Sequence, residues 1–371
     1  MMRSIVHIVG CDEKFAAGYI NFQTMYLKEY RHVFITMDCV NKLNLAPEAR
    51  VYYTRRQWDI LTNKEIREEI RNCDKMIVTG VFGPVREVLF CEKTEILQKT
   101  YLQFWGGDFY CYRKKKDGNI KEKITGIWYQ SVEKRIMKRV IKRCGGIINL
   151  IDTEWKEFYH LFPYNRKHFV APMPNDPLKK IDYEAYRGKK EQKEGIYRIL
   201  IGNSADRANC HIDAFEKLKR FADEDIEIVV PLSYGDKDYR KEVIEKGTEI
   251  FGEKFRPVTH FMDIEKYTQF LNSCDAAVFN NNRQQAMGNI NMLLQLGKKV
   301  FLRKDNRMWD HYKEAGLLLY EIDTADELSI REFVHMDPAA AFNNIKIMEK
   351  KQDFRRVIEQ WKTVLEDNKA I

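Results

Sequence analysis

The chain has 371 residues, about two domains' worth, with 44% apolar and 12% aromatic content, which excludes a disordered protein. Its net charge of +8 is unevenly spread: residues 113–143 carry twelve Lys/Arg against three Asp/Glu, and this stretch reads as a docking surface for something anionic. No run approaches the roughly 18 apolar residues of a membrane span, the start MMRSIVHIVGCDEKF lacks the form of a signal peptide, and eight scattered cysteines with no CxxC pair suit reduced thiols, so the chain is expected in the cytoplasm.

In chain order, Ser4–Val9 reads as a strand ending at Gly10, and Phe15–Tyr30 has helical spacing. Strands follow at Arg31–Met37 and Arg50–Tyr53, and a charged helix at Ile60–Asn72. Lys75–Val81 is a strand that stops at Gly83-Pro84, Val85–Gln98 is a helix, and Thr100–Trp105 is a strand ending in Gly106-Gly107-Asp108. Trp128–Arg143 is an amphipathic helix, with Trp128, Val132, Ile136 and Val140 on one stripe and Lys134, Arg135, Lys138, Arg139, Lys142 and Arg143 away from it. A strand at Ile147–Leu150 and a short helix at Thr153–His160 lead into a proline-rich stretch. Residues 176–195 read as the linker.

A second series begins at Tyr197. Strands are expected at Ile199–Ile201, Ile226–Pro231, Phe255–Phe261, Ala276–Phe279, Lys299–Leu302 and Leu318–Glu321. Helices are expected at Ile212–Phe221, Tyr239–Phe251, Ile264–Ser273, Gln284–Leu296 and Met308–Ala315. Strands alternating with helices imply parallel sheets. The fold class is α/β: two Rossmann-like domains facing across a cleft, over 1–175 and 196–337, with a helical tail over 338–371. In such sheets ligands sit beyond the carboxyl ends of the strands.

Several strand ends carry candidate chemistry. Gly202-Asn203-Ser204 follows a buried strand and precedes a helix pattern near Asn209. This is either an anion site at a helix start or a plain turn with Ser204 capping the helix. Arg207, Pro231, Tyr234 and the run Asn280–Gln285 reach the same sheet edge. There Asn282, Arg283, Gln284 and Gln285 can serve a base and a diphosphate together, Arg283 through a bidentate contact. Gly288, costly inside a helix, implies either close approach of a ligand or helix–sheet packing, and Asn291 continues that helix. In the first half the candidates are Gly10, Asp12, Phe82, Trp105, Gly107 and Asp108. Asp108 is either a base that deprotonates an acceptor hydroxyl or a turn residue bonding its own backbone; Asp12 has the same two readings. No metal-ligand spacing, Walker A or GxGxxG occurs. Asp236-Lys237-Asp238 matches a DxD metal clamp only formally.

The run IGNSADRANCHIDAF, the strand IVVPLSYG, RQQAMGNINMLLQLG with KKVFLRKDNRMW, and WGGDFY resemble the bacterial 4-acetamido-4,6-dideoxygalactose transferase family, glycosyltransferase family 56. The resemblance is densest from about residue 199 to 310. It implies a GT-B fold, a thymidine-diphosphate sugar bound by the second domain, a polyprenyl-diphosphate-linked saccharide bound by the first, and no obligatory metal or other cofactor. By motif it places Gly202, Asn203, Ser204, Tyr234 and Asn282–Gln285 at the donor, and makes Asp108 the leading acid/base or acceptor-binding residue. Two departures stand out: Asn280-Asn281-Asn282 replaces the family's Phe/Ala-type residues, and RQQAMG replaces RQQGIG. The resemblance gives the 113–143 region a partner, an anionic membrane surface where such an acceptor is reached. The enzyme is then expected to be peripheral to the inner face of the cell membrane. The remaining alternatives are a GT-B transferase for another surface glycan and a non-catalytic nucleotide-sugar or polyanion-binding protein. Nucleic acid is disfavoured, since the basic stretch lacks stacking aromatics at regular intervals.

Overall fold

Two all-parallel sheets organise the chain, one in each of two units. The computed structural model describes residues 2–10, 13–37, 43–113, 127, 129–163, 167–187 and 195–367. The first unit comprises Met1–Lys180 and Asp353–Ile371, and the second Ile181–Gln352.

In the first unit the strands are β1 (Arg3–Val9), β2 (Tyr30–Met37), β3 (Val51–Thr54), β4 (Lys75–Thr79), β5 (Thr100–Phe104), β6 (Gly146–Asn149) and β7 (Lys167–Val170). Their order across the sheet is β3-β2-β1-β4-β5-β6-β7. The order reverses between β1 and β4, the switch point at which ligands collect in such sheets. β1, β4, β5 and β6 are almost wholly buried, as parallel strands covered on both faces must be. β7 lies inside the proline-rich stretch, between Pro163 and Pro172, where no strand was expected; Pro172 and Pro174 follow it instead of interrupting it.

In the second unit the strands are β8 (Tyr197–Ile201), β9 (Ile226–Pro231), β10 (Phe255–Val258), β11 (Ala276–Phe279), β12 (Lys299–Leu302) and β13 (Tyr320–Glu321). Their order is β10-β9-β8-β11-β12-β13, with the reversal between β8 and β11. Its core gathers Ile199, Ile201, Phe215, Ile228, Val230, Val278 and Phe301.

The helical tail is two helices with different allegiances. Pro338–Lys351 belongs to the second unit, whereas Phe354–Glu366 belongs to the first. Trp361 on the latter is fully buried, 5.4 Å from Tyr19, and its Nε1 donates to Pro172 O at 3.1 Å. Lys75, the first residue of β4, donates its ammonium to the carbonyls of Val364, Leu365 and Asp367, capping the carbonyl end of that helix. A single tail over 338–371 is therefore replaced by a split at Asp353. Amphipathic periodicity marks both helices but not which core each one completes.

The 128–143 helix also departs from expectation. The α-helix runs Lys134–Ile141, after a wider turn at Tyr129–Glu133. Met137, Val140 and Ile141 are buried in the first core; of the expected stripe Val140 is buried, Ile136 half-buried and Val132 exposed, so the packing face is rotated from the one expected. Arg135, Lys138, Arg139 and Lys142 are exposed. Most of the basic run 113–123 lies outside the described residues, as does Trp128. Among the described residues no helix is long and apolar enough to cross a membrane.

Candidate active site

The second unit concentrates polar groups at the carboxyl ends of β8 and β11. After Ile201 the chain turns at Gly202, whose φ of +68° lies in the left-handed region that glycine tolerates. A Cβ there would lie 2.5 Å from His211 Nε2 and 2.9 Å from Asn209 Oδ1, so the turn rests directly on these two side chains. The helix expected near Asn209, over Ile212–Phe221, starts at His211, after left-handed Cys210. His211 N–H donates to the Tyr239 hydroxyl at 3.2 Å. The dipole of this helix is thus spent internally, and Ser204 does not cap it. Burial pushes the His211 imidazole down to about 4, so it is neutral at pH 7.

Asn209, fully buried, joins the loops. Its Oδ1 accepts from Asn203 N at 3.1 Å and from Asn281 Nδ2 at 3.2 Å. Its Nδ2 donates to Ser204 O, Ser204 Oγ and Asp206 O at 3.1, 3.3 and 3.2 Å. Gln285 Nε2 also donates to Ser204 Oγ at 3.2 Å. Asn203 Nδ2 donates to the Tyr234 hydroxyl at 2.9 Å, while the Tyr234 residue is 44% exposed. Pro231 is the buried end of β9. Beyond it the loop leans on the β8 loop, with Ala205 N donating to Tyr234 O at 2.8 Å.

The run Asn280–Gln285 is a loop, and the next helix starts at Met287, later than predicted. Asn282 N donates to Ala208 O at 2.9 Å. Arg283 donates to Asp206 Oδ2 at 2.7 Å, so it enters the site as one half of an ion pair. Gln284 is buried, and its Oε1 has no hydrogen-bond partner among the described residues. Ala286 is left-handed at φ +62°, a conformation that costs a residue with a Cβ about 1 kcal/mol. It stands where the family motif carries the glycine of RQQGIG, which would adopt this conformation freely. Ala286 is the N-cap residue and provides no side-chain cap. A Cβ on Gly288 would meet nothing within 4 Å, which removes the packing explanation for that glycine and leaves open space over the first helical turn. Such a turn presents unpaired N–H groups and the positive end of the dipole.

Two predicted donor residues serve other ends. Arg207 pairs with Glu242 at 3.0 Å and lies over the Tyr239 ring. Asn291 accepts from the buried Tyr312 hydroxyl at 2.8 Å. Asp236 N-caps the Lys237–Phe251 helix, which accounts for the formal DxD match. Sequence reasoning passed over Asn209 and Asn306. Asn306 donates to Asn281 O and Arg283 O at 2.7 and 2.8 Å while accepting from Met308 N. An N-cap asparagine ahead of the RMWDHY helix was the available signal.

In the first unit the loops after β1, β4 and β5 meet backbone to backbone. A Cβ on Gly10 would lie 2.6 Å from Gly80 O and 2.6 Å from Val85 Cγ2, so Gly10 is required by close approach. Asp108 is corrected as a base. It is 1% exposed, with Oδ2 accepting from Val81 N and Oδ1 from Trp105 N, both at 2.9 Å. It ties the β4 loop to the β5 loop. Burial raises its carboxyl to about 6, against the opposing pull of these amides. Gly107 begins the short helix that places Asp108, after Gly106 at φ +100°. Trp105 Nε1 donates to Thr79 Oγ1 at 3.0 Å, and the indole meets Phe15 edge-on at 5.1 Å. Phe82, in the loop after β4, is 38% exposed. Asp12 lies outside the described residues.

Comparison with known proteins agrees with this architecture. The Anabaena HepE structure in complex with UDP and glucose matches with a TM-score of 0.64 at 10% identity, over 98% of this chain and 99% of that one. The Rickettsia africae glycosyltransferase matches at 0.63 and 13%, over 99% of each chain. The E. coli trehalose-6-phosphate structure bound with UDP-2-fluoro glucose matches at 0.62 and 8%, over 99% of each. These likenesses show the GT-B fold. A family model described as 4-alpha-L-fucosyltransferase glycosyl transferase group 56 matches residues 152–366, more than half of the chain. With both Rossmann-like sheets in place, the chain belongs to glycosyl transferase group 56 and is a hexosyl-transferring glycosyltransferase.

Proposed function

We propose that this enzyme moves an amino-deoxyhexose, of the 4-acetamido-4,6-dideoxygalactose kind, from a nucleotide-diphosphate sugar to a polyprenyl-diphosphate-linked saccharide in cell-surface polysaccharide synthesis. The observation that carries the donor half is the start of the Met287–Gln295 helix. It combines a left-handed Ala286, no side-chain cap and open space at Gly288. Free N–H groups and a helix dipole stabilise a departing diphosphate without a metal. Ser204, Gln285 and Arg283 supply the surrounding polar groups, and the exposed Tyr234 ring supplies a surface for base or sugar. That the Anabaena and E. coli neighbours hold uridine nucleotides supports a nucleotide donor.

The acceptor is assigned to the carboxyl edge of the first sheet, at Gly10, Phe82, Trp105 and Gly107. With Asp108 closed off by backbone amides, Asp12 becomes the carboxylate proposed to take the acceptor proton. The basic 113–143 region is proposed to hold the enzyme on an anionic membrane. The exposed Arg135, Lys138, Arg139 and Lys142 support this, together with the exposed apolar side chains of Phe90, Ile127 and Val132.

The test is calorimetry against thymidine, uridine and guanosine diphosphates, followed by mass spectrometry of the acceptor after incubation with the matching sugar nucleotide. Thymidine diphosphate is expected to bind best. Arg283→Ala is expected to weaken it at least tenfold; unchanged affinity removes Arg283 from the site. Asp12→Asn is expected to abolish transfer with donor binding intact. Cosedimentation with anionic but not zwitterionic vesicles or oligonucleotides checks the membrane assignment.

A further inference from the structure

The amide of Asn209 has one possible orientation. Three acceptors, Ser204 O, Ser204 Oγ and Asp206 O, surround Nδ2. On the other side, Oδ1 receives the backbone N–H of Asn203 and the Nδ2 of Asn281. Turning the amide over would set donors against donors and carbonyl against carbonyl, all out of reach of water. The Asn281 contact crosses from the loop after β8 to the loop after β11, at the switch point of the sheet. Asn306 then anchors the second loop through the carbonyls of Asn281 and Arg283.

His211 supports the same arrangement from below. It is fully buried, neutral and seated where a Gly202 side chain would be. The side chains that shape the Gly202 turn therefore come from two fully buried residues, Asn209 and His211.

We propose that Asn209 is a positioning residue for the donor. It locks the Gly202–Ser204 turn to the Asn281–Gln285 loop, so that Ser204 Oγ, the Gln285 amide and the first turn of the Met287 helix meet the diphosphate in one prearranged geometry. This rests on the donor site proposed above. Preorganised groups bind without the ordering cost that two independent loops would incur.

The experiment is isothermal calorimetry of thymidine diphosphate on wild type and Asn209→Ala, with amide hydrogen exchange on both proteins. The expected result is a Kd raised at least tenfold with a stoichiometry still near one. Exchange is expected to accelerate at residues 202–206 and 281–285 together. A role confined to folding would instead lower the stoichiometry at an unchanged Kd, and that result overturns the proposal. Should Asn209→Ala fail to fold, Asn281→Ala removes the Asn209–Asn281 bond, together with the longer one to Gln285 Oε1, and leaves the Gln285–Ser204, Asn282–Ala208 and Arg283–Asp206 links in place. It is expected to raise Kd and to speed exchange at 202–204, on the loop opposite the substitution. A wild-type Kd, or exchange changes confined to 281–285, overturns the proposal. If wild-type protein binds neither thymidine nor uridine diphosphate, the proposed function fails, while coupled exchange in the two loops still decides whether Asn209 locks them.

Discussion

The carboxyl edges of the two sheets share a topology and differ in chemistry. Each reverses strand order at its centre, between β1 and β4 or between β8 and β11, and each brings glycine turns to that point. At the first edge the loops meet through backbone: Gly10 against Gly80, and a buried Asp108 bonded to the amides of Val81 and Trp105. At the second they meet through side-chain amides, chiefly Asn209, Asn281 and Asn306. The difference teaches that a carboxylate at a strand end is not by itself a catalytic group. At the first edge it holds the loops together, and the exposed side chains among the described residues include the aromatic Phe15 and Phe82. At the second the loops are held by neutral amides and the Arg283–Asp206 pair, and the start of the Met287–Gln295 helix has no side-chain cap.

The sharpest way to break this contrast is Asp108→Ala. Two buried N–H groups would lose their acceptor, at about 1–3 kcal/mol each, so the first unit should lose roughly 2–5 kcal/mol in denaturant unfolding. A variant of wild-type stability would show that Asp108 does not hold the loops.

Acid titration separates the edges next. Burial pushes His7 well below 6.5, His32 to about 4 and His211 to about 4. The unfolded chain binds these protons first, so their contribution is present above pH 6.5 and is lost as pH falls towards 4. For His32 alone this is on the order of 3 kcal/mol. Asp108 has the opposite sign. Its folded carboxyl is raised to about 6, so its contribution is present below pH 4 and is lost as pH rises through 6. The stability difference between wild type and Asp108→Asn should therefore shift against wild type from pH 4 to 6; a flat difference would mean that the Asp108 carboxyl is not raised.

Two smaller effects sharpen the comparison. Trp105→Phe removes the bond to Thr79 Oγ1 and should cost about 1 kcal/mol with donor affinity unchanged; weakened donor binding would mean that the first edge shapes the second. Ala286→Gly relieves a left-handed conformation and should stabilise by no more than about 1 kcal/mol, since glycine also gains freedom in the unfolded chain. A loss of stability beyond 1 kcal/mol would contradict the strain assigned to Ala286.

The alternation of apolar runs with amphipathic segments was enough to read two parallel sheets, because parallel strands must be continuously apolar and their crossovers helical. Glycine and asparagine at the strand ends pointed to the carboxyl edge of the second sheet, since turn chemistry is local. What the side chains do there was not legible. Asp108 and Asn209 are both short polar residues near strand ends. Whether an oxygen meets solvent or a buried amide depends on strands far apart in sequence, such as β4 for Asp108 and β11 for Asn209. The start of the Met287–Gln295 helix was misplaced for the same reason: its N-cap Ala286 takes a left-handed conformation that propensity does not favour.

The sequence by itself determined the fold class and, through its motifs, the family, because hydrophobic period and turn residues act over a few positions. Only the tertiary structure decided that the last helix completes the first core, that Asp108 is structural, and which helix start stays open. Each of these depends on which backbone amide or carbonyl is already satisfied by a distant partner, and folding alone assigns those partners.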